Sequence, residues 1–282
     1  MTDLLQPTAL DARFVDTVPE LYDRHLGPFL FTPLAVDLTE RVIRPDEGPP
    51  RVLELAAGTG RLTEQLLAHL PAGSSVVATD LNAPMLEVAQ RRLAAAGGAV
   101  AVEWRTPVDA LDLPFGDGGF DAVVCQLGIM FFPDKAKAAR EALRVLRPGG
   151  QWLMNVMAPL DENPLGRIVT QVVAEHFPDD PPTFFRLPFS FGDPLAMMAL
   201  AHDAGFEDVD VSVVDRTVES PSAEDAAFGF VAGNPGAHAI RERGGDTGAV
   251  VGGVARALAA EYGDRPLRIP IRARVLSACK PR

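Results

Sequence analysis

Cysteine is almost missing from this 282-residue chain. Only Cys125 and Cys279 occur, too few for a disulfide framework or a cysteine-based zinc site, so a metal centre is not expected. Also missing is any apolar run long enough to cross a bilayer, and the opening Met-Thr-Asp-Leu-Leu-Gln-Pro carries no basic segment followed by an apolar stretch. The expectation is a cytoplasmic protein with no membrane span. Basic charge is scarce as well: 26 lysines and arginines stand against 38 acids, a formal net charge of -12. The arginines are scattered rather than gathered into a stripe, which argues against nucleic-acid phosphates and in favour of a small or cationic ligand. Internal repeats and extended low-complexity tracts are absent too.

What is present is an ordinary globular composition, 47% hydrophobic and 23% charged, with length for one large core and a modest appendage. Valine-rich runs at 51–55, 76–80, 100–104, 120–126 and 151–157 alternate with segments of helical period. That is the pattern of a parallel sheet covered on both faces. Leu62, Leu66, Leu67 and Leu70 share one helical face, as do Met85, Val88, Ala89 and Leu93, and then Ala139, Ala142, Leu143 and Leu146. Asn82 and Asp134 sit where N-caps belong, and Pro148-Gly149-Gly150 ends the last of these helices.

Outside this core the pattern divides the chain further. Residues 1–50, with Leu10, Phe14, Val18, Leu21 and Tyr22 on one face, read as an N-terminal helical cap over the ligand edge of the sheet. A helix at 163–177, a proline- and phenylalanine-rich loop at 178–194 and a helix at 194–203 follow, then alternating strands at 209–218 and 267–278. The core is thus expected over 51–218 and 267–282. The segment 219–266 between the last two strands, too long for a hairpin, reads as a lid insertion with two helices, and its Gly-Gly pairs suggest mobility.

The chemistry gathers at the carboxyl ends of the strands. Val52 to Gly60 is an apolar run containing Glu54 that ends in the turn Ala56-Ala57-Gly58-Thr59-Gly60 and opens into a helix. Glycines there admit positive φ and close approach of a ligand, while Glu54 can accept hydrogen bonds from an amine or a hydroxyl. Asp80 ends the next run, about 20 residues beyond Gly60, the spacing of a ribose-binding acid. Asp109-Ala110, and Gln126 ahead of Phe131-Phe132-Pro133-Asp134, occupy the corresponding ends further on.

Together these separated motifs resemble the class I S-adenosylmethionine-dependent methyltransferases, and more narrowly the ubiquinone and menaquinone C-methyltransferases, over roughly residues 50–160. The N-terminal Tyr22-Asp23-Arg24-His25 fits more loosely. The resemblance implies a Rossmann-like seven-stranded sheet, mostly parallel with an antiparallel last strand, and S-adenosylmethionine as cofactor. It implies that Glu54 and Ala56 through Gly60 surround the methionine part and that Asp80 holds the ribose hydroxyls. Leu81 and Met85 would wall the adenine, Asp109 with the Ala110 amide would bind its edge, and Gln126 would face the reacting methyl. A cofactor with a sulfonium, an ammonium and two vicinal hydroxyls suits carboxylates and carbonyls. The family usually has glycine where this chain has Ala56, so the turn must accept a Cβ. No Asn-Pro-Pro-Tyr signature follows Gln126, which disfavours modification of DNA.

The expected acceptor is a small, largely apolar molecule methylated on oxygen, carbon or nitrogen, with Tyr22, His25 and Phe131 in its pocket and His25 as the candidate general base. Phe184, Phe185, Phe189 and Phe191 read first as packing, though their density hints at an apolar substrate. A second copy of the chain is admitted as a partner. Two other readings stay open: a fold that binds the sulfonium for another reaction such as a cyclisation, and a nicotinamide dehydrogenase. Against the dehydrogenase, the third glycine position is Thr63 and no Tyr-x-x-x-Lys pair occurs.

Overall fold

Helix α1 (Val18–Leu26), a π-helical turn (Gly27–Phe31) and helix α2 (Thr32–Glu40) lead into the first strand. The computed structural model describes residues 14, 18–42, 48–95 and 98–282. Leu10, counted above on the face of the N-terminal helices, lies outside them. This segment buries Leu26 of α1, Phe29 and Leu30 of the π-helical turn, and Leu34 and Leu38 of α2.

The five valine-rich runs become parallel strands; those in the sheet interior are covered on both faces, which removes the need for alternation, while the edge run at 101–105 stays partly exposed. They are β1 (Arg51–Leu55), β2 (Ser75–Thr79), β3 (Ala101–Arg105), β4 (Phe120–Gln126) and β5 (Leu146–Met157). Crossovers α3 (Arg61–His69), α4 (Ala83–Leu93) and α5 (Lys135–Val145) connect them, burying Leu62 and Leu66, then Met85, Val88 and Ala89, then Ala139 and Ala142. Asp134 caps α5 by accepting from the Lys137 amide at 2.8 Å. Asn82 precedes α4 but makes no side-chain cap; its own amide is taken by Asp80 at 2.8 Å.

The sheet is completed by two long strands, β6 (Glu207–Ser220) and β7 (Leu267–Cys279), in the order β3-β2-β1-β4-β5-β7-β6. Strand β7 runs antiparallel to both neighbours, with Asn155 opposite Val275 and Ser212 opposite Val275 on the other side. The sheet is therefore mostly parallel with an antiparallel last strand, as the resemblance implied. Successive strands step away from β1 towards β3, and β4 then returns to its other side. Ligands bind at such a switch point, beyond the carboxyl ends of β1 and β4.

Helices α6 (Pro164–His176) and α7 (Pro194–Ala204) flank a loop wound into a 3-10 turn at Thr183–Phe189. Between β6 and β7 lie three helices rather than two: α8 (Ala223–Ala232), α9 (Gly236–Glu242) and α10 (Thr247–Tyr262). Here Gly253 allows close packing, since a Cβ on it would stand 2.9 Å from Val172 of α6. Among the described residues, no helix is long and apolar enough to cross a membrane.

Candidate active site

The turn after β1 is built on positive backbone angles. Ala56 has φ +52°, Gly58 +57° and Gly60 +78°. Ala56 is thus a non-glycine residue in the left-handed region, a strained state that persists only where the surroundings hold it. Room for its Cβ comes from Gly128, just beyond β4, where an added Cβ would lie 2.7 Å from that of Ala56. Gly60 does different work. A Cβ there would stand 2.8 Å from the Ala89 Cβ, so this glycine lets α3 begin tightly against α4.

Two acids are buried behind the turn. Glu54 is 1% exposed and accepts the Thr63 hydroxyl at 2.6 Å. Burial pushes its carboxyl up to about 8, the Thr63 hydrogen bond opposing and the neighbouring Asp80 charge adding to the rise. Asp80 is 7% exposed. One carboxylate oxygen accepts the Gly58 amide at 2.9 Å and the other the Asn82 amide at 2.8 Å. Burial raises its pKa, and these two amides pull it back. Among the described residues neither acid is paired with a cation.

Asp80, Leu81, Met85, Asp109, Ala110, Gln126, Ala56 and Gly58 all line one cavity of about 420 Å³, within the range of small-molecule sites. Asp109 lies at its exposed edge, turned onto the Leu111 amide at 2.9 Å. No lysine or arginine stands among the described residues of this wall. Next to it a narrow cleft reaches Glu54, Ala57 and Thr59, and shares Ala56, Gly58 and Gln126 with the larger cavity. Gln126 donates from Nε2 to the Phe31 carbonyl at 2.9 Å, while its Oε1 is buried with no hydrogen-bond partner. Cation-seeking acids, an orphaned carbonyl and a left-handed turn are a donor set for a ligand carrying positive charge and hydroxyls. They suit a dinucleotide phosphate poorly, because the Gly58 amide that would face it is already given to Asp80.

A second chamber, about 50 Å³ and almost wholly apolar, opens off the first. Phe14, Tyr22, Leu127 and Phe131 belong to both. Tyr22 stacks on Phe31 (ring centroids 4.6 Å apart) and meets the edge of Phe14 at 5.3 Å. Phe184 and Phe189 of the 3-10 turn wall the chamber, whereas Phe185 and Phe191 are buried in the core away from it. Asn163 and Asn234 also touch the chamber, and both are engaged with the backbone: Asn163 bonds the Ala158 and Arg272 backbones, and Asn234 bonds the Phe230 carbonyl and the Gly236 amide.

His25 is a correction. It lines neither cavity. Its Nδ1 lies 2.8 Å from Asp225 on α8 and its ring packs edge-on against Phe228, so it ties α1 to α8 instead of facing an acceptor. Gly60 likewise serves helix packing and does not line the cavities. Three participants escaped the sequence reading. Leu127 holds φ +49° and forms part of the wall between the chambers. Asn155 fixes it, accepting the Leu127 amide at both its backbone and side-chain oxygens. Phe31 braces Tyr22 with its ring and Gln126 with its carbonyl. The glycine at 128 was the one local sign of an unusual turn; nothing in the sequence marks a leucine for the left-handed region.

Comparison with known proteins agrees with this geometry. Residues 52–150 match the family described as "Methyltransferase domain". A demethylmenaquinone methyltransferase of Thermus thermophilus is 40% identical over 123 residues, which are 44% of this chain and 54% of that one; the match thus spans about half the relative's length. Among solved structures, Haemonchus contortus phosphoethanolamine N-methyltransferase 2 in complex with S-adenosyl-L-methionine superposes with a TM-score of 0.60 at 17% identity, over 98% of this chain and 60% of that one. The [4+2]-cyclase SpnF gives 0.59 at 22% identity, over 98% and 97%. At such identities these two likenesses concern the fold alone. Residues 52–150 thus match a methyltransferase domain, and their sheet edge, glycine turn and acids form the wall of the larger cavity.

Proposed function

We propose that this protein transfers a methyl group from S-adenosylmethionine to a small, largely apolar acceptor of the quinone or secondary-metabolite type. The observation that carries the proposal is the convergence of Asp80, Asp109, Gln126 and the Ala56–Gly58 turn on one cavity that opens into an apolar chamber. Asp80 holds the ribose hydroxyls with the lone pairs its two amides leave free. Leu81 and Met85 flank the adenine, with Asp109 and the Ala110 amide at its edge. Glu54, Ala57 and Thr59 surround the methionine end in the narrow cleft. When bound, the cofactor supplies an electrophilic methyl on a sulfonium, open to in-line attack by an acceptor oxygen, carbon or nitrogen. The chain's own contribution is alignment and exclusion of water: the apolar side chains of Phe14, Leu127 and Phe131 line the junction of the chambers. Such positioning is worth up to roughly 7–11 kcal/mol in favourable cases. The helices between β6 and β7 act as a lid, and the location is cytoplasmic.

Methyl-labelled S-adenosylmethionine tests this directly. Label should pass into an organic-extractable product as S-adenosylhomocysteine accumulates. Tight binding of NADH with no binding of either sulfonium or its product would overturn the assignment. Conversion of an acceptor without label transfer would favour a cyclisation on the same fold.

A further inference from the structure

The junction of the chambers holds one hydroxyl whose use is unassigned. Tyr22 lines the large cavity, the apolar chamber and the narrow cleft together. Its ring is clamped in orientation by Phe31 on one face and Phe14 at the edge. Among the described residues its hydroxyl has no hydrogen-bond partner. Gln126, whose Oε1 is buried without a partner, lines two of the same cavities, and Phe31 links it to Tyr22 by supplying both the ring under the tyrosine and the carbonyl that fixes the amide.

The surroundings add a second constraint. Among the described residues lining the apolar chamber, Tyr22 is the one with a titratable side chain, and the two asparagines there are bonded to backbone groups. Among the phenylalanines and aliphatic side chains a polar atom on the acceptor would go unmatched, which is costly, whereas the junction offers it a hydroxyl. Burial and the nearby Asp80 charge hold the Tyr22 phenol above its ordinary pKa, so the hydroxyl is a donor throughout the working range and is not a base.

We propose that Tyr22 selects the acceptor: its hydroxyl donates a hydrogen bond to an oxygen at the reacting end of a flat aromatic molecule whose remainder lies among the phenylalanines. This rests on the methyltransferase reading above and adds to it a residue that recognises oxygen. Tyr22 keeps its proton throughout and acts by binding and orienting the acceptor oxygen.

The test compares 2-naphthol with 2-methylnaphthalene, a near-isostere lacking the oxygen, in protein saturated with S-adenosylhomocysteine. Wild type should bind the naphthol about tenfold more tightly. In Tyr22→Phe that preference should vanish while 2-methylnaphthalene binds as before, and the unchanged hydrocarbon affinity shows that the pocket is intact. Equal affinities in wild type, or a preference that survives Tyr22→Phe, would overturn the proposal. So would a tenfold loss of S-adenosylhomocysteine affinity in Tyr22→Phe with the naphthol preference kept, since the hydroxyl would then serve the cofactor. Failure of wild type to bind S-adenosylhomocysteine at all would instead strike the functional reading beneath it.

Discussion

Glu54 shows how far a single residue can be read and where reading stops. That an acid near the tip of β1 belongs to the site was legible from its place before a glycine turn. That it is buried at 1% exposure with only a threonine hydroxyl for company depends on α3 folding back over it. Because its folded pKa is raised to about 8 from an ordinary value of 4.5, the native state binds more protons than the unfolded chain between those limits. The contribution to stability is therefore complete below about 4.5 and is lost as pH rises through 8. Glu54→Gln keeps an acceptor for Thr63 and removes the titration. Thermal melts from pH 5 to 9 should show the variant gaining on wild type as pH rises; parallel curves would contradict the burial of a titrating Glu54. Leu127 marks the opposite limit, since a left-handed leucine has no sequence signature and is held by Asn155, whereas Ala56 was marked by the glycine it replaces.

At the scale of elements, the parallel strands and their crossovers were readable almost throughout, because apolar runs of β-branched residues and helical spacing of leucines and alanines carry their own physical signal. The start of β6 and the helices after it were less so. Alanine- and glycine-rich segments such as α8 and α10 have little amphipathic contrast, so three helices read as two. Of the pair Gly252-Gly253, the second packs closely against Val172 of α6. The unit most exposed to a single change is β1-turn-α3. Gly60→Ala combines a left-handed φ with a Cβ 2.8 Å from that of Ala89. It should cost about 1–3 kcal/mol, seen as a lowered denaturation midpoint with an unchanged denaturant slope. A midpoint equal to wild type would show that α3 and α4 are not packed as described.

The whole molecule brings together what no local pattern connects. The apolar chamber draws Phe14 and Tyr22 from the amino-terminal end, Leu127 and Phe131 from beyond β4, Phe184 from the 3-10 turn and Phe230 from α8, residues more than 200 positions apart. Sequence spacing said nothing of that meeting, whereas the acids of the larger cavity were foreseeable because a parallel sheet delivers every strand end to one edge. The same assembly relocates His25: α8 lies against α1 and offers Asp225, so a histidine that looked available is spent on holding the two together. The central claim is that strand-end acids, Asp80 foremost, grip one adenosyl ligand in a shared cavity. Calorimetric titration with S-adenosylhomocysteine tests it most directly. Wild type should bind at a single site and Asp80→Ala should bind about 5- to 150-fold more weakly, the equivalent of about 1–3 kcal/mol for unsatisfied hydroxyls; equal affinity in the two proteins would contradict the account.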